Sequence, residues 1–304
     1  MHLVGTRESS LLRRTSGPIT SGSMEMRSEE RAVRVAFQGE PGAYSEEAAV
    51  RLFGEVETVP CTLLSDVFDA VAVGRADRGV VPVENSQAGS INEAYDLLLA
   101  RDLVIAGELN LRVIHCLMSL PGQVLEGITR IYSHPQALAQ CDAYLKRLGA
   151  ETVPSYDTAG SAKMIREQRL VGSAAVASGR AARIYELAIL AEGIETNPNN
   201  YTRFLTIDRS PAPRVDPSKT SVVFGLRNEP GTLYAALGAL ATRRINLTKI
   251  ESRPGRDRPW EYVFYVDFDG HADDVVVQEA LLDLRGPTTF LRVLGSYPRS
   301  PQPA

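Results

Sequence analysis

The sequence of 304 residues is poor in cysteine and histidine. Its three cysteines, Cys61, Cys116 and Cys141, are widely spaced and form no C-x-x-C pair, and its four histidines form no H-E-x-x-H motif. The odd number and the spacing of the cysteines predict buried thiols in a reducing compartment rather than disulfides. Neither residue type predicts a metal site, so we expect a protein without a metal.

The chain also lacks a surplus of positive charge and a long apolar run. Its 33 basic and 37 acidic residues give a net charge of -4, which argues against nucleic-acid and anionic-membrane surfaces as partners. No apolar segment approaches the length that spans a bilayer. An apolar content of 44% is ordinary for a soluble globular protein. These features favour a cytoplasmic protein.

Residues 1–31 differ in composition from the rest of the chain. They are rich in Ser, Arg and Gly and lack the apolar stretch of a secretory signal. Their composition also fits an organellar transit peptide, but Glu8 and the further start candidates Met24 and Met26 favour a disordered leader or a misassigned start.

From residue 32 onward, strand-like and helix-like segments alternate in two successive series up to residue 209. This order predicts an α/β domain of two lobes, with parallel sheets covered on both faces and a cleft between the lobes. Residues 210–219 contain three prolines and read as a linker. Residues 220–298 show the order βαββαβ, which predicts a ferredoxin-like domain.

Polar residues follow several of the predicted strands, where ligands bind in open α/β sheets. The segment FQGEPGAYS (37–45) predicts a tight turn into a helix N-terminus that suits an anion. In VPVENSQAGSINE (81–93), Glu84 and Asn85 are predicted to face a ligand, whereas Ser90 and Glu93 suggest a capping box. Two later clusters, YSHPQ (132–136) and YDTAG (156–160), add Gln136 and Thr158 as candidates.

The segment NNYTRFLTI (199–207) places a hydroxyl, a guanidinium and an aromatic ring at the start of a strand. Two interpretations are open: an edge strand with alternating faces, or a site in which Thr202 and Arg203 act on a ligand. Adjacent side chains of a strand point to opposite faces. Thr202 and Arg203 therefore cannot both face a cleft unless the turn is distorted.

Together these motifs resemble the prephenate dehydratases that carry a C-terminal ACT regulatory domain. The resemblance covers nearly all of residues 33–298 and depends on five motifs in order: FQGEPGAYS, PVENSxxGSINExYDLL, SHPQxLxQC, NYTRF and NLTKIESRP. One departure is the turn DTAGSA (157–162), where the family has paired alanines, and it concerns the details of one substrate contact. No chorismate mutase helix bundle precedes these motifs, so the resemblance is to the monofunctional form.

The resemblance implies a two-lobed catalytic domain resembling the type II periplasmic-binding-protein fold, followed by the ACT domain. It implies a carbon–oxygen lyase that converts prephenate to phenylpyruvate without a cofactor. Arogenate, in which an amino group replaces the side-chain keto group, is an alternative substrate. A non-catalytic two-lobed ligand sensor is an alternative of a different class.

The family roles carried over to this chain are specific to each residue. Thr202 is expected to donate to the departing hydroxyl, Arg203 to bind a carboxylate or to organise the site, and Glu84 to orient the substrate or the donor. The further expected substrate-binding residues are Phe204, Asn85, Ser86, Thr158 and Gln136. In the ACT domain, phenylalanine is expected to bind at a dimer interface of a homodimer or homotetramer, through Gly238, Ala239, Leu240, Glu251, Ser252, Arg253 and Pro254.

Overall fold

A computed structural model describes residues 31–255 and 261–301 of the chain. The predicted leader lies outside the described residues except for its last residue. The first lobe contains the elements β1 (Arg34–Gln38), α1 (Tyr44–Phe53), β2 (Glu57–Cys61), α2 (Leu64–Ala72), β3 (Arg78–Asn85), β4 (Gly89–Ser90), α3 (Asn92–Ala100) and β5 (Val104–Arg112).

The second lobe follows directly in the chain. Its elements are β6 (Cys116–Ser119), β7 (Arg130–Ser133), α4 (Pro135–Gln140), α5 (Asp142–Leu148), β8 (Glu151–Pro154), α6 (Thr158–Gln168), β9 (Ser173–Ala177), α7 (Gly179–Ile184) and β10 (Ala188–Glu192). A further strand, β11 (Tyr201–Asp208), then returns the chain to the first lobe.

Both sheets are mixed, so the prediction of parallel sheets is only partly correct. In the first sheet, of order β2-β1-β3-β11-β5, β1 is parallel to β2 and β3, but β11 is antiparallel to both of its neighbours. In the second sheet, of order β10-β6-β9-β7-β8, β6 is antiparallel to its neighbours. Because β11 lies between β3 and β5, the interpretation of residues 199–207 as an edge strand is wrong.

The C-terminal domain has the predicted ferredoxin-like plan. Its elements are β12 (Ser218–Leu226), α8 (Thr232–Ala241), β13 (Leu247–Pro254), β14 (Tyr262–Asp269), α9 (Val275–Leu284) and β15 (Thr288–Pro298). The sheet order is β13-β14-β12-β15, with every pairing antiparallel and β13 at an edge. Both helices pack on one face of this sheet around Phe224, Val266 and Phe268.

The other face of the C-terminal sheet packs against the first lobe. Val223, Tyr265 and Tyr297 belong to the same buried cluster as Phe68 of α2 and Leu98 of α3. Strand β15 approaches β5 so closely that a Cβ atom at Gly295 would lie 2.1 Å from the carbonyl oxygen of Ile105. The C-terminal sheet is therefore in direct apolar contact with the lobe that carries β3 and β11.

The three cysteines are buried free thiols, as the sequence predicts. Within the described part of the chain, no helix is both long and apolar enough to cross a membrane.

Candidate active site

A cavity of about 520 Å³ lies between the two lobes of the first domain. Its volume is in the range of small-molecule sites. Gln38, Cys61 and Asn85 reach it from the carboxyl ends of β1, β2 and β3, where ligands bind in such sheets. Gln136 and Thr158 reach it from the first turns of α4 and α6 in the second lobe.

Thr202 and Asn85 are cross-strand neighbours on β11 and β3, and both side chains line the cavity. Asn85 Nδ2 donates a hydrogen bond to Thr202 Oγ1 at 3.0 Å, and Thr202 is only 9% exposed. Since the Thr202 oxygen accepts this bond, its own proton remains available for donation. The pair therefore presents an oriented hydroxyl donor to the cavity.

Asn85 belongs to a closed ring of three side-chain amides. Asn85 Nδ2 donates to Asn200 Oδ1 at 2.8 Å, Asn200 Nδ2 donates to Gln140 Oε1 at 3.0 Å, and Gln140 Nε2 donates to Asn85 Oδ1 at 3.3 Å. Reversing any one amide would set oxygen against oxygen and NH₂ against NH₂, so each member fixes the other two. The ring thereby holds the amide that orients Thr202.

The amide ring is extended by a buried histidine. His115 Nε2 lies 2.8 Å from Gln140 Oε1, and His115 Nδ1 lies 3.0 Å from the Tyr44 hydroxyl. Burial lowers the pKa of His115 and raises the pKa of Tyr44 well above its ordinary value. The lowered pKa favours the neutral imidazole, and His115 Nε2 carries a proton because the Gln140 oxygen can only accept.

Gln140, Asn200, His115 and Tyr44 were not among the predicted site residues. Three of them occur within the motifs SHPQxLxQC, NNYTRF and FQGEPGAYS, so the signal was present in the sequence. Their roles depend on contacts between residues up to 115 positions apart, which spacing alone does not reveal.

The turn between β1 and α1 joins the two lobes beside the cavity. Gly42 has a φ of +94°, and a Cβ atom there would lie 2.7 Å from Ala181 Cα. Its N–H donates to Glu46 Oε2 at 2.8 Å, and Arg180 Nε of the second lobe donates to the same oxygen at 2.7 Å. Burial would raise the pKa of Glu46, but these donors lower it overall. The carboxylate thus stays charged and ties the lobes together.

The structure brings most of the predicted substrate-binding residues into the cavity. Phe204, Asn85, Thr158 and Gln136 all line it together with Thr202. Ser86 does not line it: its hydroxyl accepts from Tyr201 N and donates to Asn199 O, both at 3.0 Å, and so fixes the entry to β11.

Two helices beside the site begin differently. Asp157 caps α6 by accepting from Gly160 N at 3.2 Å. The capping box of Ser90 and Glu93 is wrong, because α3 begins after Ile91 and Ser90 Oγ donates instead to Glu251 Oε2 at 2.6 Å.

Glu84 and Arg203 lie outside the cavity, on the side of the sheet that faces the C-terminal domain. The expectation that they contact substrate is therefore not met by their positions. Arg203 pairs with Glu108 and with Asp267 of β14, and Glu84 pairs with Lys249 of β13. The reason is strand alternation: Thr202 and Asn85 face the cavity, so the residues next to them face away.

The residues predicted to bind phenylalanine lie in several different environments. Gly238 of α8 has open space beside it, whereas Ala239 and Leu240 are buried in the C-terminal core. On β13, Glu251 and Arg253 contact Ser90 and Asp96 of the first lobe, at 2.6 and 3.3 Å. Ser252 and Pro254 alternate with them and are exposed.

Comparison with known proteins decides the family. A model of the family Prephenate dehydratase matches residues 35–212, and a model of the ACT domain matches residues 220–286. The chain belongs to the prephenate dehydratase family. It is a hydro-lyase with a C-terminal ACT domain, as the motifs indicated.

Several relatives resemble the enzyme over most of its length. Arogenate dehydratase 1 of Petunia hybrida is 49% identical over 89% of this chain and 68% of its own. A solved prephenate dehydratase from Arthrobacter aurescens, in complex with L-Phe, has 34% identity and a TM-score of 0.81, covering 88% of this chain and 90% of its own. GqqA, described as a novel type of quorum quenching acylase, has 38% identity and a TM-score of 0.82, covering 88% and 98%.

The prediction of a cytoplasmic enzyme is contradicted by other relatives. Arogenate dehydratase/prephenate dehydratase 2 of Arabidopsis thaliana is 47% identical over 92% of this chain and 77% of its own, and its name gives its location as chloroplastic. The location printed for these relatives therefore disagrees with the prediction of a cytoplasmic enzyme. Reduced cysteines and a modest net charge occur in both compartments, so composition could not distinguish them.

Proposed function

We propose that the enzyme converts prephenate to phenylpyruvate and that Thr202 assists the departing hydroxyl. The observation that carries this proposal is the hydrogen bond from Asn85 Nδ2 to Thr202 Oγ1, which leaves the threonine proton for a ligand in the cavity. A dehydratase needs this kind of donor because hydroxide is a poor leaving group unless it is protonated or hydrogen-bonded.

The reaction needs no external nucleophile. The bond from the ring to its carboxylate breaks and releases carbon dioxide, and its electron pair moves into the ring. The bond from the opposite ring carbon to its hydroxyl breaks as that electron pair completes the aromatic ring, and the hydroxyl leaves as water with a proton from Thr202, which is reprotonated from solvent. Aromatisation drives both steps, so the enzyme contributes orientation and a donor at the leaving oxygen.

The cavity has polar groups for the carboxylates of the substrate. None of its lining residues, all within the described part of the chain, is Lys or Arg. Residues at the N-terminal end of α1, which has no side-chain cap, line it, and free N–H groups at helix N-termini favour anions. Such binding does not require Arg203 in the cavity.

We also propose arogenate as a substrate of the same cavity. Arogenate carries an ammonium where prephenate has a keto group, and the lining includes the carboxylates of Glu40 and Asp157. Glu40 is paired with Lys163 at 3.0 Å, so an ammonium would compete with that lysine. Relatives named as arogenate dehydratases support this second substrate.

Acyl transfer is a less suitable chemistry for this site. A nucleophilic hydroxyl needs an adjacent base to take its proton. The partner of Thr202 is the NH₂ group of Asn85, which only donates. The resemblance to GqqA is therefore not matched by the arrangement around Thr202.

The decisive experiment is to incubate the purified full-length enzyme with prephenate and, separately, with arogenate, and to identify the products. We expect phenylpyruvate from the first and phenylalanine from the second. Turnover of neither substrate would refute the proposed function and would leave the ligand sensor as the better hypothesis.

We propose in addition that phenylalanine inhibits the enzyme by binding the ACT domain between two copies of the chain. Ser252 on the edge strand β13 is exposed, and the surface at Gly238 is open to an approaching group. An unpaired strand edge is suited to association. The Arthrobacter relative in complex with L-Phe supports the choice of effector.

Calorimetry with L-Phe tests this regulation. Ser252→Ala should weaken phenylalanine binding, whereas Ser210→Ala, an exposed serine of the connecting segment, should not. The mass in solution, measured by light scattering, should be that of a dimer or tetramer. Unchanged binding in Ser252→Ala, or a monomer that is fully inhibited, would contradict the proposed site.

A further inference from the structure

Two cross-strand pairs follow one another at the junction of β3 and β11. Thr202 is opposite Asn85, and the adjacent Arg203 is opposite Glu84. The first pair lines the catalytic cavity, whereas the second lines a separate cavity of about 330 Å³ that also includes Lys219 and Lys249 of the C-terminal domain. A single residue step along each strand therefore separates the catalytic site from the regulatory domain.

Arg203 is held by buried partners in both domains. Its guanidinium lies 2.7 Å from Glu108 Oε2 of β5 and 2.5 Å from Asp267 Oδ2 of β14, and it donates to the Tyr297 hydroxyl at 3.1 Å. The Arg203 side chain is 12% exposed and that of Glu108 is fully buried. Because the guanidinium is planar and donates to several fixed acceptors, the Arg203 side chain has little freedom to move.

The acceptors of Arg203 are themselves fixed by the C-terminal domain. Lys219 Nζ lies 2.7 Å from Glu108 Oε1, and Ser221 Oγ contacts both Asp267 Oδ1 at 2.5 Å and the Tyr297 hydroxyl at 2.6 Å. Arg203 and Lys219 balance the charges of Glu108 and Asp267. A shift of the C-terminal sheet would therefore move Arg203 or separate buried opposite charges.

Glu84 connects the other strand to the same domain. Its Oε2 lies 3.0 Å from Lys249 Nζ, and the Lys249 side chain is 11% exposed. Lys249 stands on β13 two residues before Glu251, which accepts the hydrogen bond from Ser90. Strand β13, which is proposed to bind phenylalanine, therefore contacts Glu84, the residue next to Asn85 on β3.

We propose that Arg203 and Glu84 are positioning residues that couple the pair Thr202–Asn85 to the C-terminal domain through Asp267, Tyr297 and Lys249. This inference rests on the proposed function of Thr202. Movement of the C-terminal sheet changes the placement of the threonine donor and so changes kcat, while the substrate cavity keeps its lining.

Variants at Tyr297 and Lys249 of the C-terminal domain test the coupling, because neither residue lines the cavity that contains Thr202. Tyr297→Phe removes one hydroxyl from the Arg203 cluster, and Lys249→Gln removes the partner of Glu84. Each should lower kcat roughly tenfold with KM changed less than about twofold, since small displacements of a catalytic group have large effects on rate. Lys249→Arg keeps the charge and should retain most of the kcat.

Two further measurements separate coupling from general damage. In Lys249→Gln, phenylalanine should still bind but should change kcat less than in the wild type. Glu84→Gln combined with Lys249→Gln should lower kcat no further than Lys249→Gln alone, because Lys249→Gln already removes the contact with Glu84 along with those to Ser90 and Glu251. The matched control is Arg292→Gln, which loses contacts between Arg292 of β15 and the carbonyl oxygens of Leu99 and Arg101. It should lower Tm without changing kcat.

Wild-type values of kcat in both Tyr297→Phe and Lys249→Gln would overturn the proposal, as would an equal fall in Arg292→Gln. If Tyr297→Phe fails to fold, the series at Glu84 and Lys249 decides alone, because Glu84 is partly exposed. If the coupling proposal is wrong, the wild-type enzyme still turns over substrate and still depends on Thr202. If the proposed function is wrong, the wild-type enzyme turns over neither prephenate nor arogenate.

Discussion

Replacing Thr202 with Val removes the proposed donor and keeps the branched shape of the side chain. In the folded enzyme, Asn85 Nδ2 loses the acceptor at 3.0 Å but keeps Asn200 Oδ1 at 2.8 Å and the Tyr201 carbonyl oxygen at 3.2 Å. The loss is that of one neutral hydrogen bond, or about 1 kcal/mol of unfolding free energy. The variant should therefore fold and keep its cavity.

The effect on catalysis should be much larger than the effect on stability. A positioned proton donor contributes about 10²–10⁴ in rate. At 1.36 kcal/mol for each factor of ten, this is roughly 3–5.5 kcal/mol of lost transition-state stabilisation. Because the donor acts on the leaving oxygen, kcat should fall while KM changes little.

The assay is the rate of phenylpyruvate formation at saturating prephenate, with Tm and circular dichroism as checks on folding. Thr202→Ser is the matched control, since it keeps the hydroxyl and loses only the methyl group, and it should retain most of the kcat. A kcat for Thr202→Val within about threefold of the wild type would refute the reasoning. Equal losses in the Val and Ser variants would assign the effect to packing.

Three more changes test the surroundings of the cavity. Gln140→Leu opens the amide ring and should lower kcat about tenfold at nearly constant KM; an unchanged kcat would show that the ring does not position Asn85. Glu40→Gln should lower kcat/KM for arogenate more than for prephenate, and an unchanged ratio would exclude Glu40 from recognising the ammonium. Burial lowers the pKa of His115 in the folded protein. The unfolded chain has a His115 pKa of about 6.5, so the stability and activity that depend on neutral His115 should be complete above that pH. Both should be lost as the pH falls through the folded pKa. Profiles of kcat and Tm against pH should show an acid limb below 6.5 that is absent in His115→Asn, and an identical limb in that variant would contradict this assignment.

The plan of the fold was largely predictable because it depends on local patterns. Alternating strand and helix segments identified the two lobes, and βαββαβ identified the C-terminal domain. The direction of β11 was not predictable, because a strand of eight residues reads the same in parallel and antiparallel pairing. Its place between β3 and β5 depends on where the chain returns after the second lobe.

The substrate cavity was predictable where one motif supplied both the residue and its position at a strand end. Asn85, Gln136 and Thr158 were found in this way. The amide ring was not, because Gln140 and Asn200 lie 60 residues apart and act on Thr202 only through Asn85. A glutamine on the last turn of a short helix carries no local sign of such a role.

Arg203 shows what limits inference from a motif. Strand alternation requires that Thr202 and Arg203 face opposite sides of the sheet, and the sequence supports that statement without a structure. Which side holds the substrate depends on partners that follow Arg203 by 64 residues at Asp267 and by 94 at Tyr297. A cation beside a catalytic hydroxyl therefore suggests a carboxylate ligand only while the second domain is ignored. Once the C-terminal sheet covers that side, the same cation becomes a contact between domains, and the single motif TRF supplies both the proposed hydroxyl donor and that contact.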